Sequence, residues 1–287
     1  MSKKQLSLIL FFPLYLLAHY SLSVGAIFQN EAPYLKEWIE FHKMQGVEHF
    51  FLYNNLSQDD FQTVLTPYIE KGEVSLIEWP YLFTPGKNDE WCLVQCGAYR
   101  DALKRCESEW IAFIDLDEFL FCSNGTSLVQ FLKNYKDFGG LVVNSVYFGT
   151  SHVEEIPPGD LMIELLTETG PLDNPSLLSV KSIVQPERVQ GCTQPHTFLY
   201  KKNSCGVNPL FEPVCGKEAA SVHIDEIRLN HYWSRTEKFF RERKIAWRNR
   251  CRNEDERFVQ RWCSEYVGRI DTEISQFIPE LRKKLFP

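Results

Sequence analysis

Up to Asp115 this chain alternates short apolar runs with helical patterns, and the last run stops abruptly in a cluster of acids. Leu22–Phe28, His49–Tyr53, Val74–Trp79 and Trp110–Ile114 read as strands. Asn30 is placed to cap the helix after the first strand, with Pro33 in its first turn and Leu35, Trp38, Ile39 and His42 on one inward face. Gly46 ends that helix. Further helices are expected from Asp59 to about Glu70 and, after the break at Pro85–Asn88, from about Glu90 to Cys106. Such alternation predicts a parallel sheet with helices on both faces, whose ligands lie at the carboxyl ends of the strands. Asn30, Asn54, Asn55 and Asp115 all follow strands and so share that edge, where a nucleotide would lie. No G-x-G-x-x-G follows the first strand and no G-x-x-x-x-G-K-[ST] occurs, which argues against a dinucleotide fold and a P-loop.

The acid cluster is Asp115-Leu116-Asp117-Glu118, at the end of Trp110–Ile114. Carboxylates at the end of a buried strand repel one another and lose hydration unless positive charge stands between them. A divalent cation with hard oxygen ligands removes that cost and keeps positions open for phosphate. The plainer alternative is a strand end followed by a helix cap, with Glu118 near that helix's positive end.

The 287 residues carry a net charge of −7, so no whole-chain basic field exists to bind nucleic acid. The local exception, Lys238 to Arg252, is either a solvated helix face or a surface for phosphate or an acidic membrane. None of the nine cysteines sits in a C-x-x-C pair or a zinc-like spacing. Cys92, Cys96 and Cys106 fall inside a helical pattern as small apolar residues, whereas Cys192, Cys205 and Cys215 lie in loops and are the better disulfide candidates. Lys3 and Lys4 precede the apolar stretch Leu6–Ala18, so residues 1–20 are expected to be a signal peptide or an N-terminal membrane anchor. The domain then begins with little or no linker, and export to a secretory lumen or a membrane surface is expected. The patterns Asn55-Leu56-Ser57 and Asn124-Gly125-Thr126 match N-glycosylation acceptors, the first inside the expected donor pocket.

Beyond Glu118 the pattern loosens. Ser127–Tyr135 reads as a short helix, and Leu141–Phe148, Leu178–Val184, His196–Tyr200 and Ile227–Trp233 as strands. Gly159–Pro175 and Gly191–Pro213 read as long loops, and Thr236 to about Val267 as two amphipathic helices.

Asn30–His42, Gly46 and Tyr53-Asn54-Asn55-Leu56-Ser57 resemble the opening of glycosyltransferase family 92, formerly the DUF23 group. The likeness continues through Gln95, Tyr99, Arg100, Asp101 and Trp110 to Asp115–Phe119, then Lys181–Val184, His196 and Leu229-Asn230-His231-Tyr232. It implies an α/β fold of the GT-A (nucleotide-diphospho-sugar transferase) type: a mixed, mostly parallel central sheet flanked by helices, with a helical C-terminus. The domain would span 21–287, with a donor half to about 125 and an acceptor half beyond. It also implies manganese or magnesium, a nucleotide-sugar donor such as UDP-galactose, and inverting transfer of a hexose to a glycan or glycoprotein acceptor. Under the resemblance Asp115, Asp117 and His231 hold the metal, Asp117 most directly and Asp115 nearer the ribose. Asn30, Glu31, Asn54, Gln95, Asp101 and Asp115 would hold the donor nucleotide. His231 can equally be a satisfied histidine on a buried strand. Val146–His152 resembles the family's aromatic-Phe-Gly loop only loosely, which leaves the acceptor open.

Inverting displacement requires a carboxylate to take the acceptor's proton. Asp255 and Glu256 lead, with Glu154 and Glu155 as alternatives. Rival functions are a metal-dependent nucleotide-sugar hydrolase or phosphodiesterase using the same acids, and a catalytically silent glycan-binding protein. The hydrolase normally needs a second cluster of bridging ligands, and the sequence offers none.

Overall fold

The computed structural model describes residues 20–82, 88–202, 204–245, 261–262 and 264–287. The expected signal or anchor segment lies outside them, except that Tyr20 already belongs to the first strand. Among the described residues no helix is long and apolar enough to cross a membrane.

The chain runs β1 (Tyr20–Phe28), α1 (Ala32–Met44), β2 (His49–Asn54), α2 (Phe61–Glu70), β3 (Val74–Glu78), α3 (Asn88–Arg105), β4 (Ser108–Phe113) and β5 (Glu118–Cys122). Then follow α4 (Leu128–Leu132), β6 (Gly140–Tyr147), α5 (Met162–Leu165), β7 (Glu168–Thr169), β8 (Val180–Val184), β9 (Val189–Gln194), β10 (Thr197–Tyr200), β11 (Gly206–Val207) and β12 (Ile227–His231). After α6 (Glu237–Phe239) a π-helical stretch spans Phe240–Ile245, and β13 (Arg269–Ile270) precedes a last helix, Ile278–Leu285.

A nine-stranded sheet has the order β3-β2-β1-β4-β8-β6-β12-β5, with β11 added to β6. β3, β2, β1 and β4 are mutually parallel, β8 runs antiparallel between β4 and β6, and β5 returns antiparallel to β12. This is the mixed, mostly parallel α/β architecture expected of a GT-A chain.

Strand alternation gives the sheet two cores. Val24, Ala26, Phe50, Leu52, Trp110 and Ala112 point to the α1–α2 side, while Ile27, Phe51, Tyr53, Ile111 and Phe113 point to α3. Gly25 is required by that second face, since a Cβ there would stand 2.8 Å from the Phe113 ring.

Asn30 does not cap α1. Its backbone is left-handed (φ 57°) and its Oδ1 accepts from Gln58 N, while Glu31 at the N-cap position makes no capping bond. A missing cap costs about 1 kcal/mol. Each large apolar side chain buried by α1 contributes about 1.5–3 kcal/mol, and Leu35, Trp38, Ile39 and Phe41 are fully buried. Burial therefore decides that helix.

Glu118–Cys122, beyond the expected first-half pattern, is a buried strand. The loop expected over Gly191–Pro213 contains most of the β9–β10 hairpin and β11, and the one over Gly159–Pro175 contains α5 and β7. The two amphipathic helices expected from Thr236 are represented among described residues by α6, the π-helical stretch and part of 261–265.

Candidate active site

The turn between β4 and β5 is short because Glu118 N donates to Asp115 O at 3.0 Å and Asp115 N to Glu118 Oε2 at 2.8 Å. It presents the three acids at the carboxyl end of β4, beside β12. In the β5–β12 pairing His231 stands opposite Glu118, and Tyr232 N donates to Asp117 O at 2.7 Å. That register brings His231 Nε2 to 3.4 Å from Asp117 Oδ1 and Nδ1 to 3.3 Å from Glu118 Oε1. From the other side β8, antiparallel to β4, delivers Lys181. Its Nζ lies 2.7 Å from Asp115 Oδ2 and 3.1 Å from Glu118 Oε2.

Asp115 also accepts from Gln95 Nε2 at 2.8 Å, and Gln95 in turn donates to Tyr99 OH at 2.9 Å, so α3 forms one wall of the site. Asp117 Oδ2 meets Lys244 Nζ at 3.1 Å. Arg235 is enclosed beside it, stacked over Tyr34 (3.9 Å) and Phe239 (4.5 Å), with Nη2 at 2.5 Å from Glu31 Oε2. Its Nε and Nη1 have no hydrogen-bond partner among the described residues. The two rings stand edge to face, their centroids 5.9 Å apart, and pack around the guanidinium at about a right angle, with Nε and Nη1 as its unused donors.

Burial by itself would push all three acids toward the protonated form. Against burial, Lys244 and His231 hold Asp117 well below the usual carboxylate range, and Lys181 lowers Asp115 despite repulsion from Asp117. Glu118 is raised, since burial there exceeds the attraction of Lys181. Burial would lower Lys181, but Asp115 and Glu118 more than reverse this and keep it charged. Glu31 is raised by burial, which Arg235 offsets only in part. The centre therefore combines ionised aspartates with fixed cations.

Asp115, Asp117, His231, Gln95 and Glu31 lie in or beside this centre. Asn54 braces its own turn, donating to Glu78 Oε2 and accepting from Ser57 N, and Asn30 holds the neighbouring loop through Gln58. Asp101 is engaged by Tyr53 OH (2.9 Å) and Arg105 Nε (2.5 Å) rather than by the acid cluster. Glu154 and Glu155 are exposed and paired with Arg241 and Lys238. Asp255 and Glu256 lie outside the described residues. The sequence puts Glu118 in the acid cluster, Lys181 within the family-like block Lys181–Val184 and Lys244 within the basic run, but it assigns none of them its place in the centre and does not single out Arg235. The available signal was Lys181 itself, a lone charge within the apolar run Val180–Val184 that needs a carboxylate partner once buried.

Among the described residues no group of three or more His, Cys, Asp or Glu side chains forms a ready-made metal cage. Both Asp115 oxygens are already engaged, by Lys181 and Gln95. Asp117 Oδ1 and His231 Nε2 face each other and make an oxygen–nitrogen pair suited to a divalent ion whose shell phosphate and water complete. Glu118 Oε1 and His231 Nδ1 are buried without directed hydrogen bonds, and a proton on Nδ1 shared with Glu118 would leave Nε2 as the ligand atom. The residues fit a metal held by Asp117 and His231, with Asp115 oriented by Lys181 beside it.

A cleft of about 770 Å³ opens alongside, between the first turns of α1, the Glu155–Leu161 loop and Thr236–Arg243. Tyr34 and Phe239, the rings that stack on Arg235, line it.

Residues 19–266 match the family model for glycosyltransferase family 92. A glycosyltransferase family 92 protein of Ricinus communis is 31% identical over 143 residues, 48% of this chain and 24% of that protein. One from Oryza sativa subsp. japonica is 34% identical over 143 residues, 48% of this chain and 23% of the relative. The matched stretches thus span about a quarter of these relatives. Among solved structures, residues 1–349 of S. aureus TarS superpose with a TM-score of 0.38 at 16% identity, covering 58% of this chain and 47% of that one.

Proposed function

This chain belongs to glycosyltransferase family 92, and from that premise we propose that it transfers a hexose, most simply galactose from UDP-galactose, to a glycan or glycoprotein acceptor with inversion and with manganese or magnesium. The observation that carries the reading is the meeting of Asp117 and His231, from distant parts of the sequence, at the strand edge where Asp115 is fixed by Gln95 and Lys181.

In this reading Asp115, whose side chain is one-third exposed, faces the donor, and Gln95 and Lys181 fix its orientation. Asp117 and His231 hold the metal, which supplies Lewis-acid stabilisation of the departing diphosphate. Lys244 and the unused donors of Arg235 stand near Asp117, where negative charge grows as the sugar leaves, and preorganised cations there lower the barrier. The acceptor enters along the cleft lined by Tyr34 and Phe239. Its hydroxyl proton passes to a carboxylate, for which Asp255 or Glu256 remains the proposal.

The test is incubation with UDP-galactose and manganese, with and without galactose-terminated and other glycan acceptors, following UDP and the anomeric configuration of the product. UDP release that depends on acceptor and yields an inverted glycoside supports the reading. Release of free sugar, indifferent to acceptor, replaces it with a hydrolase.

A further inference from the structure

Thiols cluster where α3 crosses the β9–β10 hairpin. Cys192 Sγ lies 3.1 Å from Cys96 Sγ and also donates to Gln194 O at 3.0 Å. Cys92, one helical turn before Cys96, has its sulfur 3.9 Å from that of Cys96. Cys96 and Cys192 are both buried, and none of the seven described cysteines is in a disulfide.

We propose that Cys96 and Cys192 form a disulfide when the chain folds under oxidising conditions. The sulfurs need approach by only about 1 Å to reach bonding distance. Helix and hairpin are already fitted to one another, since Arg100 Nη1 donates to Cys192 O at 3.1 Å and the Arg100 stem lies against Gly191. A bond between Cys92 and Cys96 would join one helix to itself. A bond from Cys96 to Cys192 joins residues 96 positions apart and so removes far more freedom from the unfolded chain.

The bond would tie together two walls of the acid centre. α3 carries Gln95 and Tyr99 to Asp115, and the hairpin turn carries His196, whose Nδ1 bonds Val180 O beside Lys181. The chemistry is thiol–disulfide exchange with a small disulfide such as oxidised glutathione. One protein thiolate displaces the first glutathione, the second protein thiolate displaces the other, and both protons leave on the two glutathione thiols. The hydrogen bond with Cys192, together with burial, pushes the Cys96 thiol up and keeps it protonated once the protein is folded, so the exchange belongs to folding rather than to the finished structure.

The experiment is to refold the full chain in a glutathione redox buffer, block remaining thiols with iodoacetamide and digest without reductant. The expected result is one cross-linked peptide pair containing Cys96 and Cys192 that separates on reduction. The oxidised protein should melt roughly 5–10 °C above the reduced one. Cys192→Ala should erase that difference, and Cys92→Ala should retain it. Alkylation of both Cys96 and Cys192, or linkage of Cys192 to Cys205 or Cys215, overturns the proposal. If Cys192→Ala does not fold, the peptide map of the natural chain decides alone.

Discussion

Lys181, itself buried, pairs with the one-third exposed Asp115, Nζ to Oδ2 2.7 Å, and fixes the first acid of the Asp-x-Asp sequence before any ligand arrives. The same ammonium lies 3.1 Å from Glu118, so one lysine answers two of three clustered carboxylates. The remaining acid, Asp117, is left to His231 and Lys244. This division of labour separates an acid that orients from an acid that can coordinate.

Removing Lys181 tests the first half. Lys181→Met keeps an unbranched stem one atom shorter but leaves Asp115 and Glu118 without a cation, and breaking the fully buried Lys181–Glu118 pair in this way costs about 3–5 kcal/mol. Chemical denaturation should show that loss. An unchanged unfolding midpoint would mean the pair carries no net stabilisation.

Asp117 and Asp115 should behave differently toward metal. With manganese present, a UDP-sugar should raise the melting temperature of the natural protein, and without metal it should not. Asp117→Asn and His231→Gln should each abolish the metal requirement together with the shift. Asp115→Asn should keep the requirement and weaken only the nucleotide's effect. Identical behaviour of the two aspartate variants would contradict the assignment.

Lys244 supplies to Asp117 the charge that a metal would otherwise bring. Replacing it with Met removes a competitor about 3.1 Å away, so manganese affinity in the absence of nucleotide should rise on the order of tenfold. Turnover should fall, since in the proposed reaction the same ammonium faces the departing diphosphate. Titration calorimetry with manganese alone reads the first effect, and lower affinity in the variant would count against it.

Two buried groups predict opposite pH trends in stability. His42 donates from Nδ1 to Trp38 O and accepts at Nε2 from Leu120 N, which suits the neutral ring, and burial lowers its pKa from 6.5 to about 3. Between those values the unfolded chain binds the extra proton, so this contribution is lost as pH falls from 6.5 toward 3. Glu37, buried beneath the Met162 and Ile163 amides, is raised by burial from 4.5 to about 7. There the folded state holds the extra proton, so the contribution present below 4.5 is lost as pH rises through 7. Melting temperatures of His42→Gln and Glu37→Gln from pH 4 to 8 should therefore diverge from the natural protein in opposite senses. Parallel curves for all three would refute both assignments.

The run Trp110–Ile114 ending in Asp115-Leu116-Asp117-Glu118 announced a strand edge with unbalanced charge, because periodicity and hydration are local properties. The β-α alternation before it was legible for the same reason. Asn30 misled, since a residue type favoured at caps was taken up by a left-handed turn held through Gln58. The β9–β10 hairpin was hidden in what read as loop, because short strands stabilised by their partners leave little periodic signal.

Sequence alone thus determined that acids would stand at the end of β4 and that apolar faces would force helices onto both sides of the sheet. It could not say which cations would meet those acids. That was decided by strand register: β12 opposite β5 sets His231 against Asp117, and β8 opposite β4 sets Lys181 against Asp115. Register depends on pairing between segments far apart along the chain, and the balance of charge in the site follows from it.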